Sequence, residues 1–228
     1  MVFDASRGKT VLFGGGWSPT YYDDTWEWDG TTWTQRPVAG PSARSAMAMA
    51  YDAARHVVVL FGGANASTTF GDTWEWDGTS WTQRAVAGPP SRSAPGLVYD
   101  SARSVCVLFG GHDAQAQTIY GDTWEWDGSA WLQRSSAGPS PRYTHAMAYD
   151  ATRQVTVLYG GGNSSTGDNQ TWVWDGNTWT QNNIISAGVR QFHKMVYDAQ
   201  RGGMLLYGGA ANTQTLGDTW ELRECTAP

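Results

Sequence analysis

One phrase returns through the chain at a nearly constant interval. DTWEWDG stands at 24–30, GDTWEWDG at 71–78 and again at 121–128, QTWVWDG at 170–176 and GDTWEL at 217–222. A second marker keeps the same beat. Gly-Gly pairs fall at Gly14-Gly15, Gly62-Gly63, Gly110-Gly111, Gly160-Gly161 and Gly208-Gly209, so the steps are 48, 48, 50 and 48 residues. Two markers in register over five copies define an internal repeat, and a repeat of this length restricts the fold to stacked or radially arranged units.

Each copy reads as four short strands. In the second, SAMAMAYD (45–52) is an apolar strand and AARHVVVLFGG (53–63) a turn followed by a β-branched strand. DTWEWDG (72–78) is a third strand and TSWTQR (79–84) a fourth. Strand-forming residues and turn punctuation agree throughout, and no segment carries a helical period. The fold class expected is all-β: a β-propeller of five blades, four of them four-stranded and the last three-stranded. The units run roughly over 1–40, 41–88, 89–138, 139–188 and 189–228 of a single domain covering 1–228.

A Gly-Gly pair closing the second strand and two aromatics further on, such as Trp26 and Trp33, resemble the kelch repeat. Six residues separate the two aromatics, as in kelch sequences, but tryptophan (Trp26, Trp74, Trp124, Trp172) holds the place of the usual tyrosine. The resemblance spans essentially the whole chain and is greatest to Trp-rich bacterial kelch-type sequences. The near-identity of the copies also fits recent duplication or a designed repeat protein.

A four-stranded blade cannot bury both of its faces alone, so every copy needs the same large apolar filler. In T-W-E-W, alternation places both tryptophans on one face and the glutamate on the other. Thirteen of the 14 tryptophans occupy such slots, where interblade packing is expected. Asp-x-x-Arg recurs at Asp4/Arg7, Asp52/Arg55, Asp100/Arg103, Asp150/Arg153 and Asp198/Arg201, between the first two strands. An aspartate accepting backbone N–H bonds suits that turn. Hairpin parity puts Glu27, Glu75 and Glu125 on the same face as Arg36, Arg84 and Arg134, which predicts a cross-strand ion pair in copies one to three. The fifth copy has no W-T-Q-R strand. Either five blades close with one short blade, or the five belong to a larger propeller.

The turns between strands one and two, and between three and four, share one face and barely vary. The loops between strands two and three, and the links from strand four to the next strand one, share the other. Those two-to-three loops differ in every copy, which points to that face as the binding face, with neutral drift in solvent loops as the alternative. Trp17, the one tryptophan outside the repeat, joins Tyr21 and Tyr22 in one loop as a candidate stacking surface for a peptide or a sugar, with Phe70 and Tyr120 in comparable loops; the competing expectation is that these rings cap their own blades. The links carry Arg44, Arg92, Arg142 and Arg190. In kelch adaptor domains that this chain resembles, arginines at such places hold acidic peptides, which implies a cationic crown at the channel mouth. The competing expectation is that each anchors its own link through backbone carbonyls.

His145 and His193 share one slot in neighbouring copies and are the candidates for a metal, for which no complete ligand set is read. Cys106 lies in a strand and reads as a small core residue, and Cys225 has no partner at a metal spacing. The remaining motifs exclude rather than propose. No nucleophile elbow, phosphate loop or paired-histidine zinc motif is present, so the expectation is a non-enzymatic binder without a cofactor, with a copper oxidase-like enzyme the most remote alternative. A formal charge of -6 builds no basic field for nucleic acid, and no apolar run of 18 residues provides a membrane span. No basic-then-apolar leader stands at the start. Many tryptophans and only two lysines, Lys9 and Lys194, lean towards a bacterial protein of the cell envelope or exterior. The partner expected is a protein or peptide, with carbohydrate as the alternative and a ligand-free scaffold as the third reading.

Overall fold

The chain is a five-bladed, all-β propeller, described from a computed structural model over residues 1–135, 137–163, 166–182 and 187–222. Blade 1 consists of Val2–Asp4, Lys9–Trp17, Thr20–Trp28 and Trp33–Arg36. Blade 2 consists of Ala48–Asp52, Val57–Phe61, Thr73–Trp76 and Trp81–Arg84. Blade 3 is built from Gly96–Asp100, Val105–Phe109, Thr123–Trp126 and Trp131–Ser135, and blade 4 from Ala146–Asp150, Val155–Tyr159, Thr171–Trp174 and Trp179–Asn182. Blade 5 has three described strands, Lys194–Asp198, Gly203–Ala211 and Gln214–Leu222. Each blade is an antiparallel meander in chain order, with its first strand innermost. No helix among the described residues is long and apolar enough to cross a membrane.

Alternation along the strands sets the packing. Val58 and Leu60 share a face with Trp76 and Trp74, their cross-strand partners, and this face meets Val11 and Phe13 of blade 1. The opposite face of blade 2 carries Val59 and Phe61, which meet Cys106, Leu108, Trp126 and Trp131 of blade 3. The same arrangement recurs between blades 3 and 4, and between blades 4 and 5. Both tryptophans of each T-W-E-W therefore point one way, as alternation requires.

The third-strand glutamate forms the polar centre of the first three interfaces, while blade 4 carries Val173 in its place. Glu75 lies 2% exposed and receives Arg84 from the next strand at 2.5 Å, the expected cross-strand pair; Glu125 and Arg134 repeat it at 2.6 Å, and Glu27 and Arg36 at a looser 3.9 Å. Two further donors were not legible in the strand pattern. Arg55 bridges its own turn aspartate, Asp52, to Glu75, and Trp126 of the following blade donates its indole N–H to Glu75 at 3.0 Å. Arg7 with Trp76, and Arg103 with Trp174, do the same at Glu27 and Glu125. A buried carboxylate tolerates this place because guanidinium and indole donors saturate it. The turn aspartates bind as expected: Asp52 accepts the N–H groups of Ala54 and Arg55.

The interfaces are not all alike. Trp81, Trp131 and Trp179 are 7–9% exposed, and each donates its indole N–H to a threonine of the preceding blade, Thr25, Thr73 and Thr123. Trp33 holds the same slot in blade 1 and is 40% exposed. At the other end of the chain, Tyr207 occupies the slot of Phe13, Phe61 and Phe109, which are at most 1% exposed, yet Tyr207 is 61% exposed. A Cβ at Gly78, Gly128 or Gly176 would meet an arginine of the preceding blade, whereas one at Gly30 would meet nothing within 4 Å beyond its chain neighbours. Among the described residues no apolar cluster joins blade 5 to blade 1, and a seam lies open between them.

Candidate functional site

The variable face is built from the two-to-three loops and the links. Its backbone is held by a girdle. Ala46, Ala94, Thr144 and Phe192 take the same place in successive links, all at positive φ (51–61°). Ala94 N–H donates to Ala46 at 2.7 Å, Thr144 to Ala94 at 3.3 Å and Phe192 to Thr144 at 2.9 Å. Left-handed geometry at residues other than glycine is strained, and here interblade hydrogen bonds hold it in place. The Gly-Gly pairs serve the same junction. Gly62 has φ 68°, and a Cβ there would lie 2.4 Å from the carbonyl oxygen of Arg92 in the next link.

The four link arginines do not form an accessible crown. Arg44, Arg92, Arg142 and Arg190 are 0–2% exposed. Arg92 donates to both carboxylate oxygens of Asp122 at 2.6 and 3.0 Å, to the carbonyl of Gly110 at 3.0 Å and to that of Pro90 at 3.1 Å. Arg44 binds Asp72, Gly62 and Ser42 in the same way. Arg142 binds Asp168, Gly160 and Ser140, and Arg190 binds Asp218 and Gly208. Each guanidinium ties the start of a blade to the end of its second strand and the start of its third. The physical reason is geometric: in blades 2, 3 and 5 the aspartate two residues before the first tryptophan folds back into bidentate range, and in blade 4 Asp168, four residues before Trp172, takes that part, so the charge is neutralised from within.

Phe70 and Tyr120 belong to the same internal construction. The guanidinium of Arg44 lies 3.7 Å from the centre of the Phe70 ring, and that of Arg92 lies 3.9 Å from Tyr120. Both rings are half-buried caps over their own arginines. Trp17 and Tyr22 are different. The second and third strands of blade 1 run on beyond the blade as a ribbon, pairing Gly16 with Tyr21 and Trp17 with Thr20. On that ribbon Trp17 is 86% exposed and Tyr22 53%, with Tyr21 half-buried. Blade 5 carries a similar ribbon, pairing Ala211 with Gln214. Between the loops of blades 4 and 5, a cleft of about 210 Å³ is lined by Tyr143, Asn163, Gln191, Phe192 and Ala210 among others, and Phe192 is 65% exposed at its edge. Sequence reasoning missed this cleft and Phe192, because the residue sits in a link whose other copies carry alanine or threonine.

His145 and His193 follow the girdle residues and line the channel with Met47, Met147 and Met195, around a cavity of about 200 Å³. His145 packs edge-on to Phe109 and His193 to Tyr159. Among the described residues no group of three histidine, cysteine, aspartate or glutamate side chains is placed to hold a metal ion. His112 stacks on Tyr143 with centroids 4.8 Å apart. Cys106 is fully buried and burial pushes its thiol well above the usual range, as a core residue requires, while Cys225 lies outside the described residues.

Burial holds the imidazoles of His145 and His193 neutral, with the charges of Arg142 and Arg190 acting in the same direction, so that they protonate only at about 3 and about 4. Lys194 and the neighbouring histidine add to this. The unfolded chain takes up these protons from an ordinary value of 6.5 downward, while the folded chain does not. The stability they contribute is therefore complete above about pH 6.5 and is lost as pH falls towards 4. At pH 5 the loss is expected to be on the order of 2 kcal/mol per ring. Urea denaturation at pH 7 and pH 5 measures it. Replacing both by methionine, which already fills the slot as Met47, should flatten the profile, and an unchanged slope would place its origin elsewhere.

No protein-family model matches the chain, and no curated protein matches it either.

Proposed function

We propose that this chain is a non-enzymatic, kelch-type propeller scaffold that holds a protein or peptide partner on its variable face, with the blade 1 ribbon as the principal contact. The observation that carries the proposal is Trp17. It is the one tryptophan outside the repeated packing slots, and it stands 86% exposed on a paired ribbon rather than in a slack loop. A rigidly presented indole beside the half-exposed Tyr22 is the kind of anchor that supplies most of the affinity of an interface. The non-catalytic reading draws support from the buried charges. The glutamates of blades 1–3 and the link arginines are spent on repeated internal bonds, which is what structural ion pairs do.

The test is a binding screen of the purified protein against a peptide library and a glycan array together. Peptide hits that weaken by about thirtyfold or more in Trp17→Ala, with melting temperature unchanged, are the expected result. Sugar hits lost with the same substitution would replace the peptide by a carbohydrate. Peptide hits indifferent to Trp17 would move the contact to the cleft edged by Phe192.

A further inference from the structure

We infer that the mouth of the channel is a binding site for a soft monovalent cation, Cu(I), held between Nε2 of His145 and Sδ of Met147. This goes beyond the partner-binding reading and does not rest on it. The unusual groups are the histidines. His145 is 8% exposed and His193 2%, and no ring nitrogen of either has a hydrogen-bond partner. The main chain of Phe109, and that of Tyr159, lies near enough to favour a protonated ring slightly but makes no hydrogen bond to it. A buried imidazole without partners is costly. Packing alone does not ask for one, because Met47 and Pro95 fill the same slot in blades 2 and 3.

Gly96 brings the two donors together. It opens the first strand of blade 3, where blades 2 and 4 carry Ala48 and Ala146. A Cβ on Gly96 would lie within 2.7 Å of both Nε2 of His145 and Sδ of Met147, so both donors converge on the space that the missing side chain leaves. The φ of Gly96 lies outside the left-handed region, so the backbone does not require glycine there. A strand glycine without a conformational reason marks a close approach. The surrounding donors are of the same kind. Met47, Met49, Met195 and His193 border the same cavity of about 200 Å³. An adjoining cavity of about 210 Å³, bordered by Ala94, Thr144 and Phe192 of the girdle, shares both histidines with it and gives a route in from the variable face.

The donor chemistry selects the ion. Thioether sulfur and neutral imidazole are uncharged and suit Cu(I), whereas Mg²⁺, Ca²⁺ and Mn²⁺ ask for oxygen ligands. No carboxylate borders the cavity, and Lys194 does. Arg142 acts on the ring of His145, and Arg190 and Lys194 on that of His193, each disfavouring further positive charge. A single charge meets less of that repulsion than a double one. A structural zinc site would need four ligands, and among the described residues no three histidine, cysteine, aspartate or glutamate side chains are grouped for one. Cu(I) accepts two or three donors: His145 and Met147, with Met195 or His193 at hand as a third.

Anaerobic titration of the full chain against the coloured Cu(I)–bicinchoninate complex tests this. The protein is expected to withdraw a single equivalent of Cu(I). Met147→Leu keeps the volume and removes the sulfur, and His145→Leu removes the imidazole; each should weaken binding by about tenfold or more. Gly96→Ala keeps both donors but fills the space between them and should weaken binding to a similar degree. It also stands in for a ligand variant whose melting temperature shows that it does not fold. Cys225→Ser should change nothing. With carbon-13 in the methionine methyl groups, Ag(I), a redox-inert substitute, should shift the Met147 resonance. Failure to withdraw Cu(I) overturns the inference. So does an unshifted Met147 methyl, binding that survives both Met147→Leu and Gly96→Ala, or binding lost with Cys225→Ser, which would assign the metal to a thiol.

Discussion

Trp126→Ala is expected to lower stability by about 3–5 kcal/mol, the range for deleting a large aromatic from a core that cannot collapse around the gap. Trp126 is fully buried between blades 2 and 3, packs 5.5 Å from Trp131 and donates to Glu75. Its removal empties the interface and withdraws one of the donors that make a buried glutamate tolerable. Trp28 occupies the same slot of the repeat but faces the seam and is only half-buried. Trp28→Ala, measured in dilute protein, should cost about half as much or less. Urea denaturation of both variants makes the comparison. Equal costs would mean that the seam is covered within the single chain.

Arg92→Ala is expected to be comparably damaging, at about 3–5 kcal/mol, because it leaves Asp122 and the carbonyls of Gly110 and Pro90 without their common donor. Arg92→Lys should recover little of this. An ammonium cannot reproduce a bidentate carboxylate contact, two carbonyl contacts and the stack on Tyr120 at once. Thermal and chemical denaturation measure the effect. A variant that keeps full stability while losing affinity for acidic peptides would restore the cationic crown as a ligand site.

The repeat made the blades legible because two markers, the Gly-Gly pairs and the tryptophan phrases, report local requirements that recur in every copy. Parity along a hairpin likewise disclosed Glu75 with Arg84, since cross-strand neighbours follow from register alone. Arg55 at Glu75 was hidden because the turn pattern gives a reason for the aspartate alone and none for the guanidinium three residues on. The link arginines anchor their links through backbone carbonyls, as the competing expectation had it, but their carboxylate partners were hidden for a related reason. Position near the channel is visible in the sequence, but Asp72 lies 28 residues beyond Arg44, and only the folded loop brings them together. A signal was available: an aspartate stands two residues before the first tryptophan in copies two, three and five, each of which also has a link arginine. The girdle residues Ala46, Ala94 and Thr144 gave no sign of positive φ, because a tertiary hydrogen bond rather than glycine holds that geometry. The seam was invisible for the most general reason. Trp33 and Trp81 sit in nearly identical local sequence, DGTTWTQR and DGTSWTQR, and only the neighbouring blade decides which one is buried.

The central claim is that, among the described residues, four blade interfaces are packed and the fifth boundary is open. Hydroxyl-radical footprinting at low protein concentration, read by peptide mass spectrometry, addresses it directly. The account predicts rapid oxidation of Trp17 and Trp33, with Trp81, Trp131 and Trp179 protected. Protection of Trp33 to the level of Trp81 in the dilute monomer would contradict it and show the ring closed on itself.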